Sequence, residues 1–207
     1  MMKSFSSPSL YIQGQDILLN HCDQITRLGH RAVILSSGIA IDVAANALSN
    51  KLNKQHFFSE VITISDDFND YELSCLCQKI HYLNADVVIA VGGGKVIDTA
   101  KIIAAQVKCR LVVVPTLAST DAPTSRLSAK YSLQGNFEKY IFFDDSPALV
   151  IVDTGIIVNA PVRTLIAGMA DALATFVEYR AVHCGRGHNM FGDSQTITAG
   201  LLAEQAS

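Results

Sequence analysis

The chain has no run of lysines or arginines and no long apolar stretch. A net charge of -3 and a pI near 6.0 give no broad attraction for phosphate backbones or anionic lipid, so neither nucleic acid nor a membrane is an expected partner. No window approaches the ~18 apolar residues of a membrane span, and MMKSFSSPSL has no apolar core of a secretory signal. A soluble, cytoplasmic protein is expected. Cysteine is sparse and odd in number: Cys22, Cys75, Cys77, Cys109 and Cys184. Cys75 and Cys77 are one residue apart with no second pair to face them, which disfavours structural zinc and suits reduced thiols packed in helices. Internal repeats and low-complexity tracts are also lacking. With 49% hydrophobic and 17% charged residues, the 207-residue chain can bury a core, enough for one domain and part of a second.

Short β-rich runs recur through the first two-thirds: Arg31–Ser36 (RAVILS), 61–65 (VITIS), 86–91 (DVVIAV), 111–115 (LVVVP) and Leu149–Asp153 (LVIVD). Near-continuous apolar strands suit a sheet buried on both faces. Between them, 17–28, 39–52, 71–83 and 96–106 show helical spacing. Strand alternating with helix predicts an α/β fold, a doubly wound, mostly parallel sheet. From 127 to 143, RLSAKYSLQ and FEKYIFFD flank Gly135 and Asn136, a predicted β-hairpin. Beyond Asp153 the β signal ends. Pro161 and Thr164 precede a helix with Leu165, Ile166, Met169, Leu173, Phe176 and Val177 at helical spacing, broken by Gly185 and Gly187; 194–204 begins another. The expected division is an α/β domain over 1–160 and the start of an all-helical domain over 161–207.

Three motifs carry chemistry. Val91-Gly92-Gly93-Gly94-Lys95 runs from a buried strand through three glycines into a helix, whose N-terminal N–H groups suit a pyrophosphate. It matches neither GxGxxG nor the P-loop, and a tight turn is the alternative reading. The loop at 115–123 (PTLASTDAP) leaves the carboxyl end of the next strand, where open α/β sheets collect ligands; a capped Ser/Thr/Asp turn would look alike. Asp171, in GMADALA, is a carboxylate within a small, apolar helix. It reads either as a solvated edge or as a group that needs a partner or a metal.

Taken together, PSLYIQG, VGGGKVIDTAK, VPTLASTDAPTSRLSAKY, NFEKYIFFDDSPALVIVDTGII and GMADALATFVEYRA resemble the glycerol dehydrogenases of the iron-containing alcohol dehydrogenase superfamily. The resemblance implies a dehydroquinate synthase-like nucleotide-binding domain and NAD-dependent, metal-assisted oxidation of glycerol or a related vicinal diol. It places Gly93, Gly94, Lys95 and Asp98 around the NAD pyrophosphate, and Thr116, Leu117 and Ser119 along the adenosine and nicotinamide side of the cleft. Ser125, Leu127 and Tyr131 then flank the nicotinamide, Asp121 holds the substrate hydroxyl, and Asp171 is the first metal ligand. In that family the metal, usually zinc, takes one Asp and two His and acts as a Lewis acid.

Two departures matter. Family members continue into a longer helical domain that carries both His ligands. His183 and His188, the only histidines after Asp171, follow its helix and do not match those positions. Hence the metal site is expected to be incomplete, with weak nucleotide binding and poor polyol turnover. The apolar face from Leu165 to Val177 is expected to be bare, inviting a homo-oligomer or a complementing C-terminal fragment. Second, Ser37 stands where the family commonly has an Asp gripping the adenosine ribose, which weakens discrimination against NADP. An inactive dinucleotide-binding module, or half of a split enzyme, is the competing reading. A glycerol-phosphate dehydrogenase or dehydroquinate synthase relative is less favoured. Such a site must hold a substrate phosphate, and STDAPTS offers an acid there with only Arg126 and Lys130 nearby.

Overall fold

The computed structural model describes residues 6–65, 69–131, 137–190, 192 and 194–207. Six strands form one sheet: β1 (Tyr11–Gly14), β2 (Arg31–Ser36), β3 (Phe58–Thr63), β4 (Val87–Gly92), β5 (Arg110–Pro115) and β8 (Leu149–Asp153). Their order is β1-β8-β5-β4-β2-β3, and every pairing is parallel. Strands β6 (Leu127–Tyr131) and β7 (Phe137–Phe142) make the expected antiparallel hairpin between β5 and β8. Its predicted turn at Gly135 and Asn136 lies outside the described residues.

Successive side chains of a strand point to opposite faces, so a central parallel strand needs apolar residues at every position. Strand β4 meets that demand with all six residues buried. On one face, Ile34, Ile89 and Val112 pack with Leu18, Ile25, Leu48 and Leu52 from helices α1 (Ile17–Asn20), α2 (Asp23–Thr26) and α3 (Asn46–Lys54). On the other, Val33, Val88 and Val113 pack with Ile80 of α4 (Asp70–Tyr82) and Ile97 and Ile103 of α5 (Gly94–Val107). Three layers result. Helix α4 opens with a capping box in which the Asn69 carboxamide accepts from the Glu72 N–H and the Glu72 carboxylate accepts from the Asn69 N–H. After β8 come α6 (Thr154–Ile157), α7 (Val162–Cys184) and α8 (Ile197–Ala206).

Two predicted helices take another form. The 17–28 segment is two single-turn helices, because inward spacing of Leu18, Cys22 and Ile25 is met equally well by a broken backbone. The 39–52 segment opens with a π-helical turn, Ile41–Ala45, whose extra residue brings both Ala44 and Ala45 into the core. Strand β1, not signalled by the pattern, is an edge strand with no fully buried residue. On α7, Leu165, Ile166, Met169, Leu173 and Val177 are exposed. No helix among the described residues is long and apolar enough to cross a membrane.

A buried carboxylate ties the sheet edge together. Asp153, at the end of β8 and 4% exposed, accepts from the backbone N–H groups of Asp16 (3.1 Å), Leu18 (3.0 Å) and Gly155 (2.9 Å). Asp153→Ala strands those donors and is expected to lower stability by about 3 kcal/mol in urea unfolding, with Asp153→Asn less damaging. A loss under about 1 kcal/mol would show that the carboxylate is dispensable.

Candidate functional site

From β2 the chain crosses outward to β3, and from β4 it crosses the other way to β5. The carboxyl ends of β2 and β4 therefore flank the topological switch point, where such sheets open a crevice. Just below it, the buried Ser36 hydroxyl donates to the Val91 carbonyl at 2.8 Å and joins the two strands. Above it lies a cleft of about 390 Å³ whose walls include Ser37, Gly93, Gly94, Lys95, Leu117, Ser119, Arg163 and Thr164.

The glycines divide the work. Gly92 is buried at the end of β4, where a Cβ would meet the Val96 side chain at 2.8 Å. Gly93 is the N-cap of α5 in extended backbone and has no side chain to bond the first-turn N–H groups, and both Gly93 and Gly94 line the cleft. A Cβ on Gly93 would lie 3.3 Å from Leu117, and one on Gly94 would lie 3.1 Å from the Thr120 methyl. These positions let the loop after β5 approach the helix start.

That loop is held in its middle by α7. The Asp121 N–H donates to Asp171 Oδ2 at 3.1 Å, and Gly168 lies so close beneath Ala118 that a Cβ there would strike the Ala118 carbonyl. The sequence signalled both carboxylates, and the fold brings them together. Both are exposed, and neither is on the cleft wall, which Ser119 of the same loop and Ala167 of the same helix help to line. Even so, crowding of the Asp121 carboxyl by protein and the neighbouring Asp171 charge push its pKa above the ordinary carboxylate range. Lys101 and the Thr120 hydroxyl oppose that rise.

Asp98, Thr116, Ser125 and Leu127 are not on the cleft wall. The Thr116 N–H extends the β4–β5 ladder by donating to the Gly92 carbonyl at 3.1 Å. Asp98 Oδ2 accepts from the Ala129 N–H at 3.3 Å, and its carbonyl accepts from the Ser128 hydroxyl at 3.0 Å. Ser125 and Leu127 meet Lys101, whose ammonium donates to Ser125 Oγ at 2.9 Å and the Leu127 carbonyl at 2.7 Å, with Asp98 Oδ1 at 3.5 Å. Burial lowers the Lys101 pKa and raises that of Asp98, and each partly offsets the other. The Tyr131 side chain lies outside the described residues.

Sequence reasoning missed Lys101 and Arg163. Lys101 follows Ile97 by four residues on the core-facing side of α5, and a charge at a core position is itself a signal. Arg163 sits in the first turn of α7, where the helix dipole disfavours a cation. Among the described residues, no three His, Cys, Asp or Glu side chains gather as a metal cluster. His183 stacks on Tyr179 with ring centroids 5.5 Å apart, about 18 Å along α7 from Asp171. His21, His30, His56 and His81 are exposed.

Fold and site together define a doubly wound α/β protein with a crevice at its switch point and a polar loop over it. The model of the iron-containing alcohol dehydrogenase family matches residues 8–154, and the chain belongs to that family. It is 36% identical over 203 residues to a glycerol dehydrogenase of Pseudomonas putida, covering 98% of this chain and 56% of that protein. It is likewise 36% identical over 204 residues to a glycolaldehyde reductase of Halobacterium salinarum, covering 99% and 56%. The solved structure of a probable glycerol dehydrogenase from Sinorhizobium meliloti superposes with a TM-score of 0.88 at 30% identity, over 99% of this chain and 56% of the other. The chain thus spans about half the length of the curated relatives it matches.

Gly168→Ala forces α7 away from Ala118 and is expected to destabilise the protein by about 1–3 kcal/mol, seen as a lower thermal midpoint. An unchanged midpoint would mean that α7 and the loop are not in tight contact.

Proposed function

We propose that this chain forms the dinucleotide-binding half of an NAD-dependent polyol dehydrogenase acting on glycerol or a related vicinal diol. The observation that carries the reading is the side-chain-free start of α5 at Gly93 and Gly94, open to a cleft shared with Lys95, Arg163 and the loop after β5. Pyrophosphate suits that position, because first-turn N–H groups and two cations all favour an anion. One dinucleotide end would run toward Ser37 past β2, the other toward Ser119 and the Asp121–Asp171 pair. The 36% identity to glycerol dehydrogenase over nearly the whole chain supports a polyol as substrate. When bound, NAD supplies the hydride acceptor. The chain's own residues orient it, and Asp121 stands where a substrate hydroxyl can be hydrogen-bonded.

Residues 161–207 are read as the first helices of a metal-binding helical region, with Asp171 as one ligand for zinc or another divalent ion. A catalytic zinc ordinarily takes three protein ligands. The described residues do not by themselves make that set, so no step is assigned to a metal. Poor glycerol turnover is expected of the 207-residue chain alone, and a clear rise in NADH absorbance with glycerol and zinc would overturn that part.

The central test is calorimetric titration with NAD+. Saturable binding, competed by ADP-ribose, is expected; none at millimolar dinucleotide would overturn the reading. Ser37→Asp restores a carboxylate beside the adenosine ribose and should shift preference toward NAD+ over NADP+ by about tenfold. No shift would mean that the ribose lies elsewhere.

A further inference from the structure

Lys101 is 3% exposed, yet it lines no part of the cleft wall. Its ammonium spans from α5 to the residues where the post-β5 loop enters the hairpin: Ser125 Oγ at 2.9 Å and the Leu127 carbonyl at 2.7 Å. The loop has two other anchors. At its start the Thr116 N–H bonds the Gly92 carbonyl, and in its middle the Asp121 N–H bonds Asp171. Lys101 is thus the anchor at the far end. Asp98, one helical turn earlier, reinforces it through the Ala129 N–H and the Ser128 hydroxyl. A lysine buried at this depth loses hydration and side-chain freedom, and an apolar residue would fill the position at lower cost unless the bonds were needed.

The loop walls only one half of the cleft. Ser37 and the α5 N-terminus bound the other half through β2 and β4, whose register does not involve Lys101. The half under the loop is walled by Leu117 and Ser119, and the hydrogen-bonded Asp121 and Asp171 follow two residues after Ser119 and one helical turn after the wall residue Ala167. These polar groups can meet a reacting hydroxyl, which places the reactive ring on this side. We propose that Lys101 is a positioning residue for the nicotinamide half of the bound dinucleotide, acting by pinning the loop and hairpin to the helix that receives the pyrophosphate. This rests on the NAD reading above.

The test compares NAD+ with ADP-ribose, which lacks only the nicotinamide, by calorimetry on the 207-residue chain. In Lys101→Met, ADP-ribose affinity should stay within about twofold of the unsubstituted chain while NAD+ affinity falls about tenfold. A purely structural lysine would leave that ratio alone, weakening both ligands in parallel or neither, and either result overturns the proposal. Should Lys101→Met fail to fold, Lys101→Gln keeps a donor too short to reach both Ser125 and Leu127. It should lower the ratio by about threefold, and an unchanged ratio there is equally fatal. If the unsubstituted chain binds neither ligand, the NAD reading itself has failed and this inference falls with it. If it binds both and only the ratio is unmoved, the fault lies with Lys101 alone.

Discussion

The parallel pairing of β4 with β5 is the constraint on which the rest of the molecule depends. Register from Val87 opposite Arg110 to Gly92 opposite Pro115 makes both strands finish at one edge. The start of α5 and the loop after β5 must then meet. Antiparallel strands would have put them at opposite ends, leaving a helix N-terminus with no loop above it. The pairing holds because both strands are buried on both faces, so slipping by one residue would gain nothing and would break the ladder.

From that convergence the site follows by close packing. A loop can lie on a helix start only where side chains are missing, and Gly93 and Gly94 supply the space against Leu117 and Thr120. Helix α7 then closes on the loop from outside, through Gly168 against Ala118 and Asp171 beneath the Asp121 N–H. The two carboxylates meet because backbone meets backbone. Crowding of the Asp121 carboxyl by protein, with the Asp171 charge beside it, raises the Asp121 pKa.

Polar groups inside the fold are used as fasteners. Asp153 gathers three backbone donors at the sheet edge, Asp86 accepts from the His30 and Arg31 N–H groups at the opposite end of the strands, and Lys101 with Asp98 bonds α5 to β6. Among the described residues no buried side-chain nitrogen or oxygen lacks a partner. Such groups are tolerated inside a protein only when fully satisfied.

Local chemistry determined the elements and several candidate residues. Buried strands announce themselves through β-branched runs, helices through apolar spacing, and the Val91–Lys95 turn through glycines at a strand-to-helix junction, because each of these signals lies within a few residues of chain. Edge strand β1, with only Tyr11 and Ile12 as apolar residues and half its surface open, carried too little pattern to be seen. Spacing could not tell one helix from two short turns at 17–28, nor show the π-helical turn before α3. Only the tertiary structure decided that Asp121 and Asp171, 50 residues apart, share a hydrogen bond, that Arg163 lines one cleft with Gly93 and Gly94, and that Lys101 reaches Leu127. The reason is physical: those contacts depend on strand order and helix packing, which arise from the sum of many buried surfaces and are written in no single stretch of sequence.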